Sequence, residues 1–351
     1  MPNKKVRVAT IVGARPQFIK AAALSHAFLR HGGFEEILVH TGQHHDFKMS
    51  EIFFRELGIP EPRHHLGIHG GGHGAMTGRM LIGIEQVLLE EKPDWLLVYG
   101  DTNSTLAGAL AAAKLQIPIA HVEAGLRSFN RTMPEETNRI LTDHVSRLLF
   151  CPTETAISNL QREGIEHGVH MVGDVMYDTV LLTREPARLH SEIVSRLGLV
   201  AGNYAVATVH RAENTDDPEQ LNRIISYLHQ ESERQPIVLP LHPRTAGAAS
   251  RAGIALDGLH VIEPLGYLDM SRLLADCACV FTDSGGVQKE AYFHGKPCIT
   301  LRGETEWLET ITCGWNRLWH EPEYAPRRPI RDYGDGHAAE RIATLMGESL
   351  R

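Results

Sequence analysis

Short apolar runs alternate with amphipathic stretches along the whole chain. Helical patterns near residues 76–90 and 103–114 lie between the apolar runs of the first half, which are VRVATIV, EILVH, WLLVYG, IPIAHV and LLFCPT. These runs are apolar throughout rather than at alternate positions, which is typical of parallel strands covered by helices on both faces. The pattern therefore predicts a doubly wound α/β domain that continues through VHMVGD.

A second series of strands and helices follows a charged, helical stretch at residues 179–199. Its apolar runs are YAVATVH, PIVLPLH, HVIEPL, CACVFTDSGG and KPCITL. A chain of 351 residues more readily forms two cores than one. We therefore predict two doubly wound, parallel-sheet (Rossmann-like) domains that face a cleft, residues 1–178 and 179–351. A final amphipathic stretch at 337–346 could cross back to the first domain.

Composition narrows the classes of partner and the compartment. The net charge is -8, with 43 acidic residues against 35 Lys and Arg, which argues against a nucleic-acid partner. The first apolar run is about seven residues long, too short for a signal peptide, and no other run could span a bilayer. Five cysteines, an odd number in apolar segments, predict reduced thiols and a cytoplasmic protein.

The 21 histidines raise the question of a metal site. Six of them cluster, namely His44, His45, His64, His65, His69 and His73. No HExxH pair or cysteine quartet accompanies them, and the glycines around the last three would not hold a helical ligand geometry. We therefore predict no metal.

In open α/β sheets, ligands bind beyond the carboxyl ends of the strands. Gly13 to Pro16 follow the first strand, and Arg15 and Lys20 lie near the start of the next helix, which suits an anionic ligand. The turn lacks the later glycines of GxGxxG, which argues against a dinucleotide, and no GxxxxGK[ST] loop occurs. An ordinary surface turn with two solvated cations is the alternative.

Carboxylates follow three further predicted elements of the first domain. Asp101 follows WLLVYG, Glu123 follows IPIAHV, and Glu135 and Glu136 stand in MPEETNR. Grouped carboxylates raise one another's pKa, which proton transfer near neutral pH requires. Helix capping or a first-turn position is the alternative, but it is weaker for Glu123, because no clear helix follows it.

The second domain offers matching strand ends. Basic groups follow its first two strands, at His210, Arg211, His242 and Arg244. Ser284, Gly285 and Gly286 open a helix with a hydroxyl and two unobstructed amides, which can cradle a phosphate. Glu290, in the same helix, could take both hydroxyls of a ribose. A tight strand-to-helix turn is the alternative for the serine and glycines.

At these residues the sequence resembles the non-hydrolysing UDP-N-acetylglucosamine 2-epimerases. The shared motifs, in the family's order over nearly the whole chain, are GARPQFIK, TGQH, YGDTNST, HVEAGLRS, MPEETNR, VHRAEN and TDSGGVQKEA. The resemblance implies a two-domain glycosyltransferase-B fold, a homodimer, a UDP-N-acetyl sugar as substrate, and neither NAD nor metal as cofactor. It also implies anti elimination of UDP to a glycal and syn re-addition after protonation from the opposite face.

The resemblance also implies roles for matching residues. Asp101, Glu123 and Glu135 resemble the acid/base and cation-stabilising carboxylates, and His210 resembles the histidine that assists the departing diphosphate. The matches to UDP-binding positions are Arg15, Lys20, Ser284, Gly285, Gly286 and Glu290. Candidates for substrate contact or for a second, activating site are Gln43, Arg127, Arg139, Arg211, His242, Arg244 and Arg302. Asp46 departs from the second-site pattern, so activation by substrate stays open.

Two departures bear on the substrate. Trp307 stands where the family commonly has arginine, and HPR occupies 242–244 where many members differ. GARPQFIK, NSTLAGAL, LHPRT and TEWLE look closer to the branch that epimerises UDP-2,3-diacetamido-2,3-dideoxyglucuronate, an O-antigen precursor. The added carboxylate of the uronate would need a cationic partner, and Arg244 or Arg302 could supply it. The choice between the two sugars stays open.

Three rival functions share parts of this pattern. A UDP-sugar glycosyltransferase could use the same architecture but would need an acceptor pocket rather than grouped carboxylates beside His210. A hydrolysing epimerase would differ by admitting water. A UDP-sugar sensor has little reason to place proton-transfer groups at several strand ends.

Overall fold

The computed structural model describes residues 5–43 and 47–349, and only the backbone of residues 47–50. Contacts divide the chain into two compact units, unit 1 comprising Met1–Thr179 with Arg331–Arg351 and unit 2 comprising Val180–Ile330. Each unit contains one sheet in which the paired strands are parallel, of seven and six strands respectively. The predicted fold class of two parallel α/β domains is confirmed. His44, His45 and Asp46 lie outside the described residues.

Unit 1 alternates strands and helices along the chain. Its elements are β1 (Val6–Val12), α1 (Arg15–His31), β2 (Phe34–His40), α2 (Phe47–Leu57), β3 (His64–His65), α3 (His73–Glu91), β4 (Trp95–Tyr99), α4 (Asn103–Lys114), β5 (Ile119–Val122), α5 (Pro134–Val145), β6 (Leu148–Cys151), α6 (Glu154–Arg162), β7 (Val169–Met171) and α7 (Val175–His190). The division between the units falls inside α7.

The sheet of unit 1 has the strand order β3-β2-β1-β4-β5-β6-β7. Every residue of β4 and β5 is buried, as expected for central strands covered on both faces. The alanine-rich α4 packs closely on this sheet, and a Cβ at Gly108 would lie 3.1 Å from Ile11 Cγ1. This close packing fixes the amino end of α4 beside the end of β4.

The last helix, α15 (Ala338–Glu348), belongs to unit 1. The prediction placed residues 179–351 in one domain and left this helix open to crossing back; the contacts group residues 331–351 with unit 1. The helix packs on α1 and buries Ile342 and Met346. Asp178 accepts a hydrogen bond of 2.8 Å from the Ala339 N–H, at the start of the helix.

Unit 2 repeats the alternation. Its elements after α7 are α8 (Ile193–Arg196), β8 (Ala205–Thr208), α9 (Ala212–Thr215), α10 (Pro218–Ser232), β9 (Ile237–Pro240), α11 (Pro243–Ala252), β10 (His260–Ile262), α12 (Tyr267–Asp276), β11 (Cys279–Thr282), α13 (Gly285–Phe293), β12 (Cys298–Thr300), α14 (Leu308–Thr312) and β13 (Asn316–Leu318). The strand order is β10-β9-β8-β11-β12-β13.

Both sheets reverse their strand order at one place. In unit 1 the reversal lies between β1 and β4, and in unit 2 it lies between β8 and β11. Ligands of doubly wound sheets bind beyond the carboxyl ends of the strands at such a switch point. The residues that follow these four strands are therefore the first place to look for a site. Among the described residues, no helix combines the length and apolarity that a membrane crossing requires.

Candidate functional site

The turn after β1 is held by a side chain that the sequence did not single out. Gln17 Oε1 accepts hydrogen bonds from the N–H groups of Gly13 and Ala14, at 2.9 and 3.2 Å. Its Nε2 donates to the Tyr99 carbonyl at 3.1 Å. Gln17 thus ties the ends of β1 and β4 together at the switch point. Arg15 opens α1, and its guanidinium carbon lies 4.7 Å from the centre of the Phe53 ring.

A buried ion pair occupies the carboxyl ends of β4 and β5. The Lys20 ammonium contacts Glu123 Oε2, and each side chain is 9% exposed. The pair lies over Gly100, where a Cβ would be 3.3 Å from Lys20 Nζ and 3.4 Å from Glu123 Oε2. Asp101 follows this glycine directly, so two predicted catalytic carboxylates lie at the carboxyl ends of the neighbouring strands β4 and β5.

Glu123 has an unusual backbone. Its φ is +69°, in the left-handed region, which costs a non-glycine residue about 1–2 kcal/mol. The N–H groups of Glu123 and Ala124 both donate to the Phe150 carbonyl at 3.1 Å, which holds this conformation. Backbone strain of this kind concentrates at functional sites, where the surrounding structure enforces it.

Arg139 connects Asp101 to the start of α5. Its Nη2 contacts Asp101 Oδ2, and its Nη1 donates to Glu136 Oε2 at 2.6 Å. Glu136 is buried, whereas the predicted Glu135 lies beside it, partly exposed, in the first turn of α5. Burial raises the pKa of Glu136, but hydrogen bonds from Ser128 and the charge of Arg139 outweigh it, so the pKa lies below its ordinary value. We call Lys20, Asp101, Glu123, Glu136 and Arg139 the carboxylate cluster.

Arg127, predicted as a ligand contact, is held by protein carboxylates. Its Nη1 donates to Asp143 Oδ2, and its Nε and Nη2 donate to Glu163, all at 2.7 Å. Asp143 also contacts His121 Nδ1 at 2.7 Å, and both of these side chains are fully buried. His121 Nε2 in turn lies 2.8 Å from the Gly100 carbonyl. This network anchors the loop that carries Glu123 to α5 and α6.

Gln43 also has partners within unit 1. Its Oε1 accepts hydrogen bonds from the N–H and the hydroxyl of Ser104, at 3.0 and 2.8 Å. Ser104 Oγ lies 2.8 Å from Thr41 Oγ1, so Gln43 holds the end of β2 to the start of α4.

In unit 2, Asp283 organises the switch point. Its Oδ2 accepts hydrogen bonds from the N–H groups of His210 and Arg211, both at 2.9 Å, and its Oδ1 lies 3.2 Å from His210 Nδ1. Burial raises the pKa of Asp283, but the hydrogen bond and charge of His210 lower it by more, so the pKa lies below its ordinary value. The His210 ring thus turns Nδ1 towards the Asp283 carboxylate, and Nε2 is directed away from Asp283.

Two further predicted residues, His242 and Arg244, lie at the start of α11. The His242 ring lies 5.5 Å from the His210 ring, and its Nδ1 accepts the Arg244 N–H at 3.2 Å, capping α11. Arg244 is exposed, and its guanidinium contacts Asp216 at 3.0 Å. We call His210, His242 and Asp283 the histidine cluster.

Arg302 is enclosed between two carboxylates. It is 4% exposed and donates to Glu213 Oε1 at 2.8 Å and to Glu306 Oε2 at 2.7 Å. Burial lowers the pKa of Arg302, but the two carboxylates raise it above its ordinary value. Glu306 also lies 3.5 Å from Arg211. Arg211 and Arg302 therefore each have a carboxylate partner within unit 2.

The start of α13 combines a cap with a close approach. Ser284 is the N-cap, and its hydroxyl accepts the Val287 N–H at 3.5 Å. A Cβ at Gly285 would lie 2.5 Å from Glu306 Oε1 and 3.0 Å from Trp307 Nε1, so a larger residue here would require these side chains to shift. Gly286 follows in the first turn, and Glu290 is buried further along the helix. Trp307 is also buried, and Lys289 Nζ lies 3.8 Å from the centre of its ring.

The sequence did not assign roles to Gln17, His121, Glu136, Asp143 or Asp283. Asp283 carried a usable signal, because it directly follows an apolar strand. His121 lies inside a strand and Asp143 inside a helix, so no local pattern distinguishes them from core or surface residues. In the part of the chain that the structure describes, no three or more His, Cys, Asp or Glu side chains are grouped as metal ligands would be.

The chain is similar to known proteins over nearly its whole length. The family model described as UDP-N-acetylglucosamine 2-epimerase matches residues 26–347. The UDP-2,3-diacetamido-2,3-dideoxy-D-glucuronate 2-epimerase of Pseudomonas aeruginosa is 53% identical, over 98% of this chain and 100% of that protein. The crystal structure of the Methanocaldococcus jannaschii UDP-GlcNAc 2-epimerase in complex with UDP-GlcNAc and UDP has a TM-score of 0.89 and 40% identity, and covers 98% of this chain and 100% of that chain.

A more distant likeness bears on the fold alone. The glycosyltransferase SnogD from Streptomyces nogalater has a TM-score of 0.51 at 14% identity and covers 98% of this chain and 96% of that chain. The architecture is thus shared with glycosyltransferases, as predicted.

Proposed function

The chain belongs to the UDP-N-acetylglucosamine 2-epimerase family, and from this membership we propose that it inverts carbon 2 of a UDP-bound N-acetylated sugar without net hydrolysis. An enzyme with this activity is an isomerase that acts on carbohydrates. The observation that supports this most directly is the strained, buried Glu123, which shares the carboxyl ends of β4 and β5 with Asp101 and Lys20.

The proposed reaction runs through a glycal. A base removes the proton from carbon 2, the carbon–hydrogen electrons form the carbon 1–carbon 2 double bond, and UDP leaves with the electrons of the carbon 1–oxygen bond. An acid then protonates carbon 2 from the opposite face, and UDP re-adds to carbon 1. Atoms balance without a redox cofactor, so the reaction needs no NAD, and we propose that it also uses no metal.

Proton transfer on two faces needs at least two positioned groups. Asp101, Glu123 and Glu135 are the proposed acid/base and cation-stabilising carboxylates. Of these, Asp101 contacts Arg139 and Glu123 contacts Lys20, and carboxylates held in place in this way suit the stabilisation of an oxocarbenium-like sugar. Single variants of these three residues would show which carboxylate serves each face of the sugar.

The diphosphate and uridine are assigned mainly to unit 2. Ser284, Gly285 and Gly286 present the amino end of α13, where N–H groups attract an anion. His210, held by Asp283, is suited to assist the departing diphosphate through Nε2. The remaining proposed contacts to UDP are Arg15, Lys20 and Glu290. For the second, activating site, Gln43, Arg211 and His242 remain candidates.

For the sugar, we propose the diacetamidoglucuronate. The relative at 53% identity is named for that substrate, whereas the M. jannaschii enzyme at 40% identity is named for UDP-GlcNAc. The added carboxylate needs a cation. Arg244 suits this better than Arg302, because Arg302 is buried between two carboxylates whereas Arg244 is exposed and has one carboxylate partner.

Proton NMR in deuterated buffer tests the proposal. Purified protein is incubated without added NAD and with EDTA, with UDP-N-acetylglucosamine in one tube and UDP-2,3-diacetamidoglucuronate in the other. We expect deuterium to enter carbon 2 together with a new manno anomeric signal in the uronate tube. The same result only in the UDP-N-acetylglucosamine tube would reverse the choice of substrate. No exchange in either tube would refute the epimerase and favour a glycosyltransferase of the same fold.

The assembly and setting are part of the same proposal. We propose a homodimer in the cytoplasm that supplies a sugar nucleotide for polysaccharide or O-antigen synthesis. Sedimentation equilibrium should give twice the chain mass of 39.0 kDa, and a monomer would contradict the dimer.

A further inference from the structure

Four non-glycine residues in the described ranges have a left-handed backbone. They are Lys92, Gln116, Glu123 and Phe129, with φ of +48°, +59°, +69° and +59°. Lys92 and Gln116 follow the ends of α3 and α4, where a left-handed residue commonly terminates a helix. Glu123 and Phe129 do not follow a helix, and both lie in the loop between β5 and α5. The unexplained strain of unit 1 is therefore confined to one loop.

A buried carboxylate holds Phe129 in this conformation. Glu136 accepts the N–H groups of Ser128 and Phe129, at 2.9 and 3.0 Å, and the Ser128 hydroxyl at 2.8 Å. Because three donors on two adjacent residues converge on one carboxylate, the loop cannot relax without breaking them. The strain at Phe129 is thus imposed by the same residue that binds Arg139 of the carboxylate cluster.

The ring gains nothing from this position within unit 1. Phe129 is 71% exposed, although a phenyl ring is among the side chains that gain most from burial. Folding thus combines two unfavourable features, a left-handed backbone at a bulky residue and an apolar ring in water. Such a combination indicates a use outside the core.

The place of the ring in the loop indicates that use. Two ion pairs, from Glu136 to Arg139 and from Arg139 to Asp101, connect the clamp on Phe129 to the proposed catalytic carboxylates. Glu123 stands at the other end of the same loop. One loop therefore carries both a proposed catalytic carboxylate and an exposed apolar ring.

We propose that the Phe129 ring is the apolar wall of the sugar subsite, contacting the C–H face or an acetamido methyl group of the UDP-sugar. The ligand class rests on the proposed function. Binding sites of this kind pair a few polar groups with apolar and aromatic walls. A loop backbone that is held in place before the ligand arrives loses little conformational freedom on binding.

Binding to UDP and to a UDP-sugar separates this role from others. The variant Phe129→Gly removes the ring and relieves the strain, Phe129→Tyr keeps the ring, and Gln116→Gly relieves the same φ of +59° at the exposed end of α4. Isothermal titration with UDP and with UDP-N-acetylglucosamine, together with melting temperatures, is measured for all three.

We expect Phe129→Gly to lower the affinity for the UDP-sugar about tenfold, the loss of one aromatic contact, and to leave the affinity for UDP unchanged. Phe129→Tyr and Gln116→Gly should bind both ligands like the parent. Both glycine variants should melt no lower than the parent, whereas a merely structural role of the ring would lower the melting temperature of Phe129→Gly.

Three results would overturn the proposal: unchanged affinity for the UDP-sugar, an equal loss for UDP and the UDP-sugar, or a fall in molecular mass by sedimentation, which would place the ring in a subunit interface. The readout is independent of turnover. If neither sugar exchanges at carbon 2 but the UDP-sugar still binds ten times more weakly to Phe129→Gly, the epimerase is refuted and the sugar subsite stands. If exchange occurs and Phe129→Gly binds the UDP-sugar as tightly as the parent, the epimerase stands and the sugar subsite is refuted.

Discussion

Replacing Asp143 by asparagine should destabilise unit 1 strongly. Asp143 is enclosed, and its carboxylate accepts from His121 Nδ1 and Arg127 Nη1, both at 2.7 Å, and from the Gly125 N–H at 3.2 Å. Both ring nitrogens of His121 face oxygen atoms, because Nε2 lies 2.8 Å from the Gly100 carbonyl. Asparagine would turn an NH₂ donor towards Arg127 Nη1 or His121 Nδ1 and leave that buried donor without an acceptor.

The expected loss is about 3–5 kcal/mol in the free energy of unfolding at neutral pH, the usual cost of removing one partner from a buried ion pair. The loss should depend on pH. Burial raises the pKa of Asp143, but His121 and Arg127 outweigh it and hold the pKa below its ordinary value of 3.8. A carboxyl with a lowered folded pKa contributes stability above its unfolded value and loses it as the pH falls towards the folded value. The difference between parent and variant should therefore shrink as the pH falls below the ordinary value of 3.8.

Pulsed thiol labelling along a urea series measures the free energy of unfolding of unit 1 alone. Cys151 is the single cysteine in residues 1–179 and 331–351 of the sequence, and its thiol is buried in β6. Mass spectrometry of the Cys151 peptide therefore reports the opening of unit 1, whatever happens in unit 2. A matched control is Glu340→Gln, which removes an ion pair to Arg30 whose side chains are 53% and 55% exposed.

The control should change stability by at most about 0.5 kcal/mol, because exposed pairs contribute little. A loss below about 1 kcal/mol in Asp143→Asn would refute the structural role of this network. A loss that stays constant down to about pH 3 would refute its electrostatic origin.

Three further variants test the site and the fold. Glu123→Gln should lower epimerisation at least a hundredfold, the scale of a lost acid or base, and still bind UDP by titration calorimetry; near-normal turnover would remove Glu123 from the mechanism. Arg244→Ala should raise the KM for the uronate and leave that for UDP-N-acetylglucosamine unchanged; equal KM values for the uronate in parent and variant would exclude this contact. Burial raises the pKa of Asp178 from 3.8 to about 6, so its ionisation costs stability as the pH rises through this range. Asp178→Asn can still accept the Ala339 N–H and should melt above the parent at about pH 8 and with it at about pH 4; a lower melting temperature at both would show that the charge itself is needed.

The central strands were predictable, as were the edge strands β7 and β10, but the edge strands β3 and β13 were not. β4 and β5 are buried along their whole length, so the chain must be apolar there and the pattern is plain. β3 is the dipeptide His64–His65, and β13 is the three residues NRL, at the edges of the two sheets. These two strands are short and lie at an edge, so neither burial nor length leaves an apolar run to detect.

The position of site residues in the sequence was informative, but their partners were not. Asp101, Glu123, His210 and Ser284 follow strands, and parallel strands bring their carboxyl ends to one edge whatever the side chains are. By contrast, His121 lies in β5 and meets Asp143 in α5 only because the helix packs on that strand. No periodicity carries this information.

Adjacent residues on one helix show the limit clearly. Glu135 and Glu136 have the same chemistry and both stand in the first turn of α5, but only Glu136 is buried against Ser128 and Arg139. The turn of the helix places successive side chains on different faces, and the fold decides which face is inward. The sequence motif alone therefore could not tell a clamp for the loop from a group open to a ligand.

In both clusters, a proposed reactive group is held by a buried group of opposite charge. Lys20 contacts Glu123, and Asp283 contacts His210. Charges removed from water are tolerated only when paired in good geometry, and at low dielectric the pairing is strong enough to fix the position of both partners. A reactive carboxylate or imidazole held in this way is oriented before the substrate arrives, so little reorganisation is left for the chemical step. Loss of Asp283, which is not among the proposed contacts to UDP, should therefore reduce turnover by displacing His210. Loss of Lys20 should displace Glu123 in addition to removing a proposed contact to UDP.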